Sequence, residues 1–289
     1  MKKILVLSGG GSHGAWQLGA IKTLIEQDKS WDIIAGVSVG ALNGTYLAMG
    51  NKESIKESYK NLENVWMNIK GTKDIIKPWW PIFNFIPSFF KGSVKTTKPL
   101  LNLINSKFDE LALKKSNIQL KVGTVGLCSG EYKTISKEEP EFPLWVLASS
   151  TMPLVMPPVA MQGELWVDGG VRNQTPVASV IEDLRGCLHS GEEVDLDIVL
   201  TGPTKNAVGF KKKEDIKNLY HTAIRCLQLA VDEIFVSDLD KLENMEKWAN
   251  ISIYQPENSL EADPMRFEPD EIREMFQLGY EQTNKKLLK

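Results

Sequence analysis

Lys3-Ile4-Leu5-Val6-Leu7-Ser8-Gly9-Gly10-Gly11-Ser12-His13-Gly14 decides the fold. Lys3 to Leu7 is a continuous β-prone run without polar alternation, the pattern of a strand covered on both faces in a parallel sheet. Three glycines end it, and a helix is expected over Gly14 to Gln27, with Trp16, Leu18, Ile21, Leu24 and Ile25 turned inward. The same arrangement repeats next to it. Asp32 to Val37 reads as a second short strand, and Val39 to Met49 as a small-residue helix stopped by Gly50-Asn51. Further along, strands are expected at Ile118–Leu127 and Glu131–Ile135, paired around Cys128-Ser129-Gly130, then at Leu165–Val167, Asp195–Leu200 and Ile251–Tyr254. Helices are expected over Glu53–Ile69, Lys98–Asn105, Phe142–Ser150 and Asp270–Leu288. Apolar residues from Ile216 to Phe235 recur at helical spacing and mark one more, long helix. Alternating strands and helices predict the α/β class, a three-layer α/β/α fold with a mostly parallel central sheet. No linker divides the chain, so residues 1–289 are read as one domain, with a cap or lid at 70–105 and a C-terminal helical part at 207–289.

The formal net charge of −3 leaves no global basic field to attract nucleic acid. Cys128, Cys187 and Cys226 are odd in number and lack metal-ligand spacing, which fits a reducing compartment without disulfides. The apolar run Ile4–Leu7 is shorter than the ~7–15 residues of a secretory h-region. No stretch reaches the roughly 18 apolar residues a membrane span needs. A cytoplasmic protein, at most peripheral to a membrane, is expected, with no cofactor and no metal.

Gly36-Val37-Ser38-Val39-Gly40 fits G-x-S-x-G at the point where a strand gives way to a helix. A sharp turn there lifts the serine hydroxyl above the sheet edge, and Gly36 and Gly40 remove side chains that would collide. The free N–H groups and positive dipole end of the following helix favour developing negative charge. Gly9 to Gly14 allows two readings. Its glycines fit G-x-G-x-x-G, a dinucleotide cradle, or they form an oxyanion hole in which the Gly10 and Gly11 N–H groups face a tetrahedral intermediate. The dinucleotide reading wants an acidic residue at the end of the second strand. Asp32 stands at that strand's beginning, so acyl transfer is the better fit.

A serine nucleophile needs a proton acceptor. Of the three histidines, His13 lies inside the glycine loop, His189 in a polar stretch read as an exposed loop, and His221 on the long helix. None follows a late strand as a triad histidine usually does. Asp168, ending an apolar strand and followed by Gly169 and Gly170, is the better base. The ordered set Gly-Gly-Gly-x-x-Gly, Gly-x-Ser-x-Gly and Asp-Gly-Gly, with Ala148-Ser149-Ser150-Thr151-Met152-Pro153 ahead of the last, resembles the patatin-like phospholipases over residues 5 to about 200. The resemblance implies a patatin-like fold and a lipid acyl hydrolase acting on phospholipids or lysophospholipids without calcium. It implies a Ser38–Asp168 dyad with no histidine, and an oxyanion hole from Gly9, Gly10 and Gly11, with Gly14, Gly36, Gly40, Gly169 and Gly170 as supporting motif glycines. His13 stands where that family usually has Arg or Lys. The alternatives are a carboxylesterase with a Ser-His-Asp triad using His189 or His221, a dinucleotide-binding protein using Gly9–Gly14, and a silent lipid-binding module.

Pro78-Trp79-Trp80-Pro81-Ile82-Phe83-Asn84-Phe85-Ile86-Pro87-Ser88-Phe89-Phe90 is flanked by Lys70, Lys73, Lys77, Lys91, Lys95 and Lys98, against one acid, Asp74. Aromatics beside lysines suit a membrane interface. Trp79, Trp80, Phe83, Phe85, Phe89 and Phe90 are therefore the expected lipid-contacting residues of a cap that forms the acyl pocket.

Overall fold

The computed structural model describes residues 1–78, 95–204, 214, 216–242 and 249–288. Its centre is an eight-stranded sheet. Strand β1 (Lys2–Leu7) pairs in parallel with β2 (Ile33–Gly36) on one side and β7 (Val194–Val199) on the other. β8 (Ala249–Tyr254) extends the β7 side, and β3 (Gln119–Gly126) extends the β2 side, both in parallel. Three antiparallel strands complete the sheet: β4 (Tyr132–Ser136), β5 (Val159–Met161) and β6 (Glu164–Asp168). The mostly parallel sheet read from the sequence is the observed one.

The unbroken apolar run of β1 has a direct cause. Leu5 and Leu7 point into a core shared with helices α1 (Gly14–Glu26), α2 (Val39–Ala48) and α3 (Ile55–Met67). Ile4 and Val6 point into a second core on the opposite face, against helix α7 (Ile181–Ser190) through Leu184 and Cys187. Both faces are dry from Ile4 to Leu7, so none of these four positions favours a polar side chain. The first core also takes in helices α4 (Lys98–Lys107), α5 (Glu110–Lys115) and α6 (Phe142–Ser149) through Leu100, Leu113 and Trp145. These layers are the three of the α/β/α arrangement.

The C-terminal part, expected to be helical, contributes helix α8 (Leu219–Asp240), the edge strand β8 and helix α9 (Pro269–Leu287). α9 lies along α1 at unusually short range. A Cβ added to Gly279 would stand 2.0 Å from the Trp16 carbonyl oxygen, and one added to Gly19 would stand 2.0 Å from that of Phe276. Two glycines on facing helices let the backbones touch, and Trp16 Nε1 donates to Gln282 Oε1 at 3.0 Å across the seam.

Among the elements named above, α5, β5 and α7 went unread in the sequence. His189, expected in a loop, sits in the last turn of α7. α8 starts three residues after Ile216 and runs five past Phe235, and its apolar stripe is not core: among its described residues only Phe235 and Asp238 are buried. Cys128, Cys187 and Cys226 are free thiols. The aromatic stretch from Trp79 to Phe90, and with it most of the expected cap, lies outside the described residues; its flanks, Lys77–Pro78 and Lys95–Thr96, pair antiparallel. No described helix is long and apolar enough to cross a membrane.

Candidate active site

β1 and β2 run side by side with Leu7 opposite Gly36, so the loops that follow them leave the same edge of the sheet. That places the glycine loop beside the turn at Ser38. Ser38 adopts φ 55° and ψ −126°, a region that costs a residue with a Cβ about 1–3 kcal/mol. Its surroundings hold it there. The Ser38 N–H donates to Ser149 Oγ at 3.0 Å, and the Ser38 carbonyl accepts from the N–H of Ala41 at 3.0 Å. Gly40 is required by close approach, since a Cβ there would lie 2.3 Å from the Leu7 carbonyl oxygen. Gly36 faces the Gly40 carbonyl, and Gly14 packs against Val39 beside the serine.

Asp168 reaches the same place from far along the chain. β4 occupies one edge of β3 at Lys121–Val125, and β2 occupies the other up to Val122. β6 pairs with Thr124–Gly126 on the edge opposite β4, and therefore continues β3's pairing just past the end of β2. Asp168, opposite Thr124, is thus carried to the turn that bears Ser38. Its main-chain N–H donates to the Thr151 carbonyl at 3.1 Å, and its carboxylate accepts from the Gly170 N–H at 2.8 Å. Only 7% of Asp168 is exposed. Burial pushes its carboxyl up to about 6, against the downward pull of hydrogen bonds to the Ser38 hydroxyl and the Gly170 amide. Gly169 lies against the Gly123 main chain and accepts from Arg172 and Asn173.

The glycine loop divides. The Gly9 N–H donates to the Gln174 carbonyl at 3.0 Å, so it is committed to the scaffold. Gly10 and Gly11 line the cavity with Ser38, and among the described residues their N–H groups have no acceptor. Gly11 has φ +57°, and a Cβ on it would meet the Pro264 carbonyl oxygen at 2.0 Å.

Behind the loop runs a polar network that sequence reasoning missed. Gln17 Nε2 donates to the carbonyls of Val199 at 3.0 Å and Ser8 at 3.3 Å; Asn43 Nδ2 donates to Gln17 Oε1 at 3.0 Å; Trp66 Nε1 donates to Asn43 Oδ1 at 2.8 Å. Thr201 Oγ1 donates to the Gly9 carbonyl. Buried and paired, these groups fix the loop's position. From the front, Ser12 N–H donates to the Pro264 carbonyl at 2.8 Å, and His13 Nε2 lies 2.7 Å from the Ala262 carbonyl oxygen. Burial lowers the His13 pKa, so the ring that replaces the expected cation is held neutral as a tether. Of these residues Ser12 and His13 belong to the glycine stretch read in the sequence, whereas Gln17, Asn43, Trp66 and Thr201 carry no motif.

Exposed His189 places Nδ1 2.7 Å from the Arg185 carbonyl on α7, and His221 sits in the first turn of α8; neither lines the cavity. Asp32 is at the far end of β2, bound to the Lys3 N–H at 2.8 Å and to Lys52 Nζ at 2.7 Å. Among the described residues no three His, Cys, Asp or Glu side chains converge on a point where a metal ion could sit.

Ser38 and Asp168 open into a cavity of about 240 Å³. Ser38, Leu42 and Tyr46 form one wall at successive turns of α2, joined by Val65, Leu103 and Phe108.

A sheet of this topology with a serine on a strained strand-to-helix turn places the chain among α/β proteins built around a nucleophile elbow. The chain belongs to the patatin-like phospholipase family, whose sequence pattern matches residues 5–181. Lysophospholipase NTE1 of Kluyveromyces lactis is 23% identical over 298 residues, covering 96% of this chain and 18% of its own length. Triacylglycerol lipase 4 of Saccharomyces cerevisiae is 25% identical over 203 residues, covering 62% of this chain and 22% of its own length. The chain thus spans less than a quarter of either relative. The crystal structure of VipD from Legionella pneumophila aligns with 98% of this chain and 66% of its own, at 15% identity and a TM-score of 0.44.

Proposed function

We propose that the chain is a lipid acyl hydrolase that cleaves carboxylic esters of phospholipids or lysophospholipids through an acyl-enzyme on Ser38, with Asp168 as the base. The observation that carries this reading is a buried carboxylate beside Ser38, the two lining one largely apolar cavity. Ser38 Oγ attacks the ester carbonyl as its proton passes to Asp168. The carbonyl oxygen, now negative, is met by the Gly10 and Gly11 N–H groups and the N-terminus of α2. Collapse breaks the ester C–O bond, and Asp168 returns the proton to the departing alkoxide. Water then attacks acyl-Ser38, delivers its proton to Asp168, and releases the fatty acid as the proton returns to Ser38. The acyl chain lies along the Leu42–Tyr46 wall.

Raising the carboxyl from 3.8 to about 6 matters for the rate. At 1.36 kcal/mol per pKa unit, the mismatch with neutral pH falls from roughly 4 to roughly 1.4 kcal/mol. The base must be ionised to act. On a soluble ester, kcat/KM is therefore expected to climb as pH rises through about 6 and then level off. A profile flat across that range, or falling with rising pH, contradicts Asp168 as base.

Contact with a lipid surface through Trp79, Trp80, Phe83, Phe85, Phe89 and Phe90 belongs to the same proposal, supported by their lysine flanks. Replacing Trp79 and Trp80 with alanine is expected to weaken vesicle binding more than cleavage of a soluble ester. Equal losses in both assays reject the interfacial role.

A further inference from the structure

Among the described residues Asp232 is the second carboxylate that lines the cavity, and the reaction just described does not use it. It lies on α8, whose Leu227, Gln228, Val231, Asp232 and Phe235 face the cavity together. α8 is anchored beside the catalytic turn. It packs against Gly169–Val171, directly after Asp168, and Asp238 Oδ2 accepts the Thr175 N–H at 2.9 Å while Asp238 Oδ1 meets Lys241 Nζ at 2.5 Å. Asp232 stands less than two turns before that anchor, about 9 Å along the helix axis.

Two features set Asp232 apart. Among the described residues it makes no hydrogen bond and no ion pair; Arg225, two turns earlier on the same helix, acts on it only through space. Partial burial pushes its carboxyl up to about 6, against the smaller downward pull of Arg225. No lysine or arginine is among the described residues that line the cavity. The cavity is thus polarised. From Ser38 the α2 wall runs through Leu42 and Tyr46 to Phe108 and is apolar, whereas the α8 wall beside the Asp168 turn carries a negative charge. With the acyl chain on the α2 wall, as proposed above, the α8 wall is a side left for the alcohol portion.

We infer that Asp232 selects substrates whose alcohol portion carries a positive charge, a quaternary or protonated amine such as a cationic lipid head group bears. The inference rests on the Ser38 acyl-enzyme reading and adds to it the side of the ester on which charge is recognised. A cation there supplies the partner that the carboxylate lacks. A head group carrying only phosphate meets repulsion.

The test pairs decanoylcholine with 3,3-dimethylbutyl decanoate, which has the same shape with carbon in place of nitrogen. At pH 8, where Asp232 is ionised, wild-type kcat/KM is expected to favour the choline ester by about tenfold, a differential of ~1.4 kcal/mol. Asp232→Asn should erase that preference and leave the neutral ester within about twofold of wild type, and Asp232→Glu should keep part of it. The same preference should appear for lysophosphatidylcholine over lysophosphatidylglycerol if the cation is a lipid head group, and be confined to the small ester if it is not. Equal wild-type rates on the two decanoates overturn the inference without any variant. An Asp232→Asn protein that loses both activities alike, or keeps the preference, overturns it as well. Ser38→Ala, assayed on the neutral ester, reports separately on the underlying reading: persistent hydrolysis there rejects the Ser38 assignment whatever the choline preference shows.

Discussion

Ser38→Ala is expected to reduce hydrolysis of a lysophospholipid by about 10⁴–10⁶-fold, the scale seen when a nucleophilic serine is removed from a hydrolase. The loss should come without unfolding. The Ser38 main chain is held by Ser149, Ala41 and Leu42 through backbone atoms that alanine keeps, and alanine pays the same conformational cost at φ 55°. Stability within ~1 kcal/mol of wild type is therefore expected. Residual turnover above a tenth of wild type on every member of a lipid-class panel contradicts the assignment, because catalysis would then not depend on the Ser38 hydroxyl.

Asp168→Asn is expected to do two opposite things. Turnover should fall by about 10²–10⁴-fold, the usual contribution of a positioned general base. Stability at pH 8 should rise. The folded pKa of about 6 lies above the ordinary 3.8, so the native state binds this proton more tightly than the unfolded chain. The stability that the group contributes is fully present below the lower value and is lost as pH rises through the upper one. Above that point the ionised carboxylate costs the fold on the order of 3 kcal/mol. Asparagine keeps the shape without the charge: its amide oxygen can accept the Gly170 N–H and its NH₂ can face Ser38 Oγ. A gain of about 1–3 kcal/mol in urea denaturation at pH 8, shrinking toward pH 4, is the expected outcome. A destabilised variant at pH 8, or a gain independent of pH, contradicts the view that Asp168 is held ionised against the preference of its surroundings.

The parts legible in the sequence were those encoded locally. Ile4–Leu7 of β1 and all of β2 announced themselves because burial on both faces forbids polar residues there, and the Gly36–Gly40 turn because close approach to Leu7 excludes a side chain. Asp168 was legible only through the ordered motifs, since its meeting with Ser38 depends on β6 taking over β3's edge where β2 ends. Nothing in a local stretch encodes that pairing. The supports of the glycine loop were hidden for the same reason. Gln17, Asn43 and Trp66 look like ordinary helix residues, and the segment Ala262–Pro264 that grips Ser12 and His13 lies some 250 positions away from them. α8 teaches a different lesson. Helical periodicity of apolar residues reports that one face avoids water, but not what covers it. Here part of that face, with Val231 and Phe235, lines the cavity, and the acidic Asp232 sits among the apolar residues.

The central claim is that a carboxylate alone activates Ser38. It is tested most directly by following fluorophosphonate adduct formation against pH in wild type, Asp168→Asn and the double variant His189→Gln/His221→Gln, with the adduct located by peptide mass spectrometry. The account predicts an adduct on Ser38 whose rate rises through a single inflection near pH 6, unchanged in the histidine double variant and lost in Asp168→Asn. An adduct on another residue, an inflection that disappears with the histidines, or wild-type labelling in Asp168→Asn would contradict it.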